Sequence, residues 1–134
     1  MCGIVGYLGS KNAISIVLAG LKRLEYRGYD SAGIAYIHEK KLIINKKAGK
    51  VKTLDQSLDS NLYSNICIGH TRWATHGPPT NLNAHPHVSM NKNLAIIHNG
   101  VIENYSTIKE GLTKRGYKFN SATDTEVLIN LIED

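Results

Sequence analysis

Cysteine is nearly absent from the chain, with 2 in 134 residues, alongside one tryptophan, one phenylalanine and three prolines. Two cysteines are too few for a disulfide-stapled scaffold. No apolar stretch approaches the roughly 18 residues of a membrane span, so no membrane partner is expected. The run GIVGYLG is short and no basic stretch precedes it, unlike a secretory signal, so a reducing cytoplasmic setting is the expectation. Acidic residues are outnumbered, 11 against 16 Lys and Arg, for a formal net charge of +5. Much of that excess crowds into HEKKLIINKKAGKVK, where Lys40, Lys41, Lys46, Lys47, Lys50 and Lys52 flank an apolar segment without any aromatic residue. Nucleic-acid binding calls for basic residues interleaved with stacking aromatics, whereas paired lysines suit a solvated edge strand. No nucleic-acid partner is expected. What remains, 42% hydrophobic and 20% charged residues, is the composition of one ordinary globular domain or part of one.

Strand and helix signals alternate. GIVGYL reads as a strand, followed by a helix with Ile14, Val17, Leu18 and Leu21 at helical spacing and Ser10 as its N-cap. AGIAYI and KLIINKK read as strands joined by a turn at His38 to Lys40, and GKVKTLDQSL as a short surface helix. ICIGHT and NLAIIHN read as further strands, and the segment between them holds all three prolines without a sustained period. A loop that long inside a compact domain is usually functional. A helix follows from about Asn104 to Arg115, ended by Gly116, and a last one starts near Thr123. That last helix carries Val127, Leu128, Leu131 and Ile132 as an apolar stripe, which predicts burial. It ends in IED with no C-cap residue and no cation in its last turn, against the helix dipole, so the segment is expected to belong to a larger domain.

Cys2 stands directly behind Met1. As a small hydrophobe it could simply open a strand. Removal of Met1 would instead give it a free α-amine, titrating at roughly 7.7 to 8.0 beside a thiol at about 8.5, and thiol and base would share one residue. Cys67, alternating with Ile66 and Ile68 in NICIGH, reads as core. The histidines His70, His76, His85 and His87 invite a metal reading, but no pair has zinc-finger or HExxH spacing, so no metal is expected. Taken singly, HNG is a common hairpin turn, and Gly28, Asp30, Ser31 and Gly33 could merely turn a helix into a strand.

Read together, MCGIVGY, RLEYRGYDSAG, HTRWATHG with NAHPH, and HNGVIEN followed by TDTEV resemble the N-terminal-nucleophile glutaminase domain of the class II glutamine amidotransferases. The likeness runs from Met1 to Asp134 and is strongest for the branch that passes glutamine's nitrogen to fructose 6-phosphate in amino-sugar biosynthesis. Amidophosphoribosyltransferases share the cysteine start and a similar RG..SAG turn but carry glutamine in place of Tyr29 and lack TRWATHG. Asparagine synthetases differ further. The resemblance implies an α+β fold, the four-layer αββα sandwich of Ntn hydrolases, incomplete at the C-terminal end. The sugar-isomerase domains that hold fructose 6-phosphate are missing from this chain. It also implies homo-oligomers for the full-length form, glutamine as the ligand, and no cofactor.

Site roles follow from the same resemblance. Cys2 is the nucleophile, with its α-amine as base. Asn99, through its side-chain NH2, and Gly100, through its backbone N–H, are the donors to the oxyanion. Arg72 takes the substrate carboxylate, with Thr75, His76 and His85 around it, and Asp124 takes the α-ammonium. Thr123 and Glu126 have capping-box spacing, which leaves Asp124 at the first helical position to point elsewhere. Trp73 helps to gate ammonia exit, and the loop from Arg72 to Thr80, with Gly77, Pro78 and Pro79, closes over glutamine. A catalytically inactive fragment or interaction module is the alternative.

Overall fold

The computed structural model describes residues 2–73 and 78–134. Strand β1 (Gly3–Leu8) leads into helix α1 (Ala13–Leu24) and a short 3-10 turn, Glu25–Arg27. Strands β2 (Ser31–His38) and β3 (Lys41–Ala48), helix α2 (Val51–Gln56) and strand β4 (Ile66–Arg72) follow. Two-residue strands β5 (His87–Val88) and β6 (Ala95–Ile96) precede helices α3 (Tyr105–Lys114) and α4 (Asp124–Glu133).

The larger sheet is antiparallel with strand order β1-β4-β2-β3, and β5 pairs with β6 in a second sheet. The side-chain period of two divides the larger sheet between two faces. Val5, Tyr7, Ala32, Ile34, Tyr36, Ile43 and Cys67 face α1 and α2, where Ala13, Ile14, Val17, Leu18, Leu21, Val51 and Leu54 complete the core. His70 and Arg72, one position out of step with Cys67 along β4, therefore lie on the opposite face. There the smaller sheet approaches, backed by α4, against which α3 packs. Helix, sheet, sheet and helix thus form four layers.

Local chemistry explains most of the elements. The two-residue turn between β2 and β3 places Glu39 and Lys40 both at positive φ, 51° and 64°, as a type I′ hairpin requires. β3 is an edge strand, as its lysines predict, but Lys46 is only half exposed: its Nζ donates to the Leu82 carbonyl at 3.1 Å. Burial pulls its pKa down to about 8. The N-cap of α1 is Asn12, not Ser10. Both are capping residues, but Asn12 Oδ1 accepts from the Ile14 and Ser64 N–H groups while its Nδ2 donates to the Leu62 carbonyl. These bonds tie the helix start to the approach of β4 and decide the position. The short helix α2 is less a surface element than expected, since Val51 and Leu54 are fully buried.

NLAIIHN contributes only Ala95 and Ile96 to a ladder, because β5 offers two partners and the chain beyond turns away from it. The stripe expected on α4 is also revised. Val127 is buried, but Leu131 and Ile132 are exposed, and the inward face is completed by Asp124, Thr125, Glu126, Ile129 and Asn130. Those polar residues are accommodated by hydrogen bonds: Asn130 Oδ1 accepts from Met90 N–H, and Glu126 accepts from the backbone of Asn120 and Ser121. The acidic end of α4 is met by a cation from the neighbouring helix, with Arg115 2.9 Å from the Asp134 carboxylate.

Candidate active site

The open end of the larger sheet and the segment after β6 enclose a cleft of about 260 Å³ lined by residues from four stretches: Cys2, Arg72 with Trp73, His98 to Val101, and Thr123 to Thr125, with His85 at its wall. Register explains the first contact. Gly3 pairs with Thr71 and donates its N–H to Thr71 Oγ1 at 3.1 Å, so the residue before β1 meets the residues at the end of β4. Cys2 Sγ accepts a hydrogen bond from the Trp73 N–H at 3.1 Å and lies 3.6 Å from the Trp73 carbonyl. The two contacts fix the sulfur at the cleft, against the backbone of Trp73.

The opposite wall is the HNG segment. Of its residues only Gly100 has positive φ, at 141°, and Asn99 does not, so this is no type I′ hairpin. Hydrogen bonds from several elements hold it. Asn99 Oδ1 meets His70 Nε2 at 2.7 Å, Asn99 Nδ2 donates to the Cys2 carbonyl at 3.3 Å, and Ile102 N–H donates to Asp124 Oδ2 at 2.7 Å. Asp124 is the first residue of α4, with Thr123 as N-cap, its hydroxyl accepting from Glu126 N–H. The reciprocal half of the capping box is not made. Glu126 turns instead to Asn120 and Ser121, and Thr123 N–H goes to Ser121 Oγ.

Arg72 is buried, with Asp30, Cys2 and Asp124 close enough to hold it charged while burial pulls its pKa down from the ordinary value. Its guanidinium also donates to the Pro78 carbonyl at 3.4 Å. Trp73 is 54% exposed, at the rim. Thr75 and His76 lie outside the described residues, as does Gly77 of the expected closing loop.

Behind the cleft stands a column of histidines. The rings of His70 and His85 stack at 4.3 Å, and His87 meets His85 edge-on at 4.7 Å. Gly33 admits this arrangement, since a Cβ there would sit 2.0 Å from the His85 carbonyl oxygen. Burial pushes all three pKa values down, His70 to about 4 and His87 to about 2, so each ring is neutral near pH 7. Among the described residues no group of three His, Cys, Asp or Glu side chains is placed to hold a metal.

Cys2, Arg72, Trp73, His85, Asn99, Gly100 and Asp124 are thus brought to one cleft from positions up to 122 residues apart in sequence. His70, His98 and Thr125 belong to the same surroundings and were not singled out as site residues. His70 carried a legible signal, because strand alternation sets it on the same face as Arg72. Thr125 Oγ1 to His98 Nδ1, at 3.4 Å, is a tertiary contact with no counterpart in sequence spacing.

A thiol near the chain start, an asparagine–glycine wall and a buried arginine and aspartate meet in one cleft on an αββα sandwich, the fold of the N-terminal-nucleophile class. The chain belongs to the glutamine amidotransferase domain family, which it matches over residues 55–134. Particular relatives sharpen this. The chain is 57% identical over 133 residues to glutamine–fructose-6-phosphate aminotransferase [isomerizing] of Aquifex aeolicus, covering 98% of this chain and 22% of that protein. It is 54% identical over 135 residues to the enzyme of the same name from Pyrococcus horikoshii, covering 100% of this chain and 23% of that protein. Among solved structures it superposes on glutamine phosphoribosylpyrophosphate amidotransferase from B. subtilis, complexed with ADP and GMP, with a TM-score of 0.82 and 33% identity, covering 99% of this chain and 29% of that one. The chain spans less than a quarter of the length of these curated relatives.

Proposed function

We propose that this chain hydrolyses glutamine to glutamate and ammonia through a thioester on Cys2. The observation that supports it best is the facing pair across the cleft: Cys2 Sγ held by the Trp73 N–H, and the Asn99 amide and Gly100 on the opposite wall. Sulfur attacks the side-chain carbonyl carbon of glutamine, and the negative charge that forms on oxygen is met by the Asn99 NH2 and the Gly100 N–H. The α-amine of Cys2, freed by removal of Met1, takes the thiol proton and passes it to the departing nitrogen, so the C–N bond breaks and ammonia leaves. Water then adds to the thioester, releasing glutamate and restoring the thiol. Arg72 binds the substrate carboxylate and Asp124 its ammonium, with Thr75, His76 and His85 completing the pocket and Trp73 at the ammonia exit.

Residues 1–134 are on this reading the N-terminal part of a glutaminase domain acting in the cytoplasm. The ammonia is destined for fructose 6-phosphate on sugar-isomerase domains outside the chain, in a homo-oligomer. The higher identity to the fructose-6-phosphate relatives, 54–57% against 33%, favours this acceptor over phosphoribosylpyrophosphate. The test uses protein expressed from its gene. Mass spectrometry should show loss of Met1, a glutamine-like diazo-ketone should label Cys2, and glutamine should release ammonia. Labelling of Cys67 alone would overturn the assignment, and labelling of Cys2 without ammonia release would support the inactive-fragment alternative.

A further inference from the structure

We propose that His70 is a positioning residue that sets which way the Asn99 amide faces, its Nε2–H donating to Asn99 Oδ1 so that the Asn99 NH2 is presented to the Cys2 side of the cleft. The inference rests on the reading of Asn99 as an oxyanion donor.

An asparagine amide presents either its oxygen or its NH2 in a given direction, and only NH2 stabilises a developing oxyanion. The choice here is made on the far side. Among the described residues the partner of His70 Nε2 is Asn99, at 2.7 Å, while Asn99 Nδ2 reaches the Cys2 carbonyl at 3.3 Å. A carbonyl only accepts, so the nitrogen must face Cys2 and the oxygen must face His70. His70 must then be a donor at Nε2. Being a neutral, fully buried ring, it carries one proton, which leaves Nδ1 bare, and Nδ1 has no hydrogen-bond partner among the described residues. An unpartnered Nδ1 would be costly as an N–H donor and is tolerated better as a lone pair. The ring cannot swing away, because His85 stacks on it at 4.3 Å and the His85 backbone is seated against Gly33.

Two experiments on the protein expressed from its gene test this. Long-range ¹⁵N–¹H spectra of the unmodified protein should show His70 protonated at Nε2 and bare at Nδ1. The opposite tautomer would make Nε2 an acceptor, reverse the amide and overturn the inference, whether or not the protein hydrolyses glutamine. In the second, His70→Phe keeps a stacking ring but removes the donor, and His70→Gln returns an N–H near the Nε2 position. A misplacement of about 1 Å in a catalytic group costs about 10²-fold. His70→Phe should therefore lower kcat by about that factor with KM for glutamine and the rate of Cys2 alkylation by iodoacetamide little changed, and His70→Gln should recover about tenfold. A rise in KM matching the fall in kcat, loss of alkylation, or a Gln variant no better than Phe would assign His70 a packing role only. Failure of the unmodified protein to hydrolyse glutamine would count against the proposed function, leaving the tautomer measurement to decide this inference.

Discussion

The two thiols of this chain stand at different depths of one ladder. Cys67 lies inside β4, opposite Tyr7 of β1, 1% exposed among the side chains that pack on α1. Burial pushes its pKa up to about 12, and its sulfur lies 3.6 Å from the Ile68 carbonyl. Cys2 stands just beyond the open end of the same strand pair, half-buried, with the Trp73 N–H pointing at its sulfur. The side chain is the same, and the surroundings decide the chemistry. An apolar interior disfavours the thiolate of Cys67, whereas the strand end leaves the Trp73 N–H free to bond the sulfur of Cys2. The sheet serves as scaffold in its middle and as site at its edge.

Removing Cys2 tests the comparison most severely. Cys2→Ala should lower glutamine hydrolysis by on the order of 10⁶-fold, the scale for losing a nucleophile. Thermal unfolding should be nearly unchanged, because the side chain fills no core. Residual turnover near the unmodified level, measured by ammonia release, would move the nucleophile elsewhere.

How much of this contrast was legible beforehand depends on the range of the forces involved. Cys67 could be placed in the core because its neighbours Ile66 and Ile68 show the period of a strand, and burial confirms that reading. β1 to β4 follow from local period in the same way, and the turn expected at His38 to Lys40 falls between β2 and β3. β5 did not, since two residues carry no period. Ser10 and Asn12 are equivalent as N-caps until the Leu62 and Ser64 backbone groups are in place. Leu131 and Ile132 share a helical stripe with Val127, but the partners available to α4 favour the side bearing Glu126 and Asn130. The chemistry-bearing types of the cleft, Cys2, Arg72, Asn99 and Asp124, stood out by motif. Strand alternation sets His70 on the face of Arg72, but its contact with Asn99 is tertiary and has no counterpart in sequence spacing.

Within the cleft, the two walls should respond in opposite kinetic parameters. Asn99→Ala removes a donor whose interaction strengthens as charge develops, so kcat should fall by about 10²- to 10³-fold with KM little changed. Arg72→Lys replaces a planar fork by a point charge, so KM for glutamine should rise about 10- to 10²-fold, the equivalent of a hydrogen bond to a charged group. If both variants altered only the melting temperature, the cleft would be scaffold like the interior and the comparison would fail.

Acid should weaken the region behind Cys2 before it disturbs the core around Cys67, because the titratable rings are concentrated there. Burial lowers the pKa of His70 to about 4 and of His87 to about 2, and lowers that of His85 as well, from about 6.5 in the unfolded chain. Below pH 6.5 the unfolded chain therefore takes up protons that the folded protein refuses, and stability falls as pH falls through that window. At about pH 6 each ring should cost on the order of 1 kcal/mol. Denaturant midpoints measured between pH 7.5 and 5.5 should decline, and less steeply in His87→Gln. A flat profile would mean that the rings are hydrated and that the cleft's back wall is open.

The smallest effect is expected at Cys67, and it is the mirror image of the first. Cys67→Ala deletes one sulfur from a fully buried site against α1. The loss is close to that of a single methylene plus a small cavity, on the order of 1 kcal/mol. The unfolding midpoint should drop accordingly. Turnover per folded molecule and diazo-ketone labelling should stay unchanged, because Cys67 lies on the α1 face of β4 while His70 and Arg72 lie on the other. A variant of normal stability that lost activity would show that the two faces are coupled through the strand. The division between scaffold and site would then run through β4 itself, with the interior of the sheet holding Arg72 and His70 in register for the cleft.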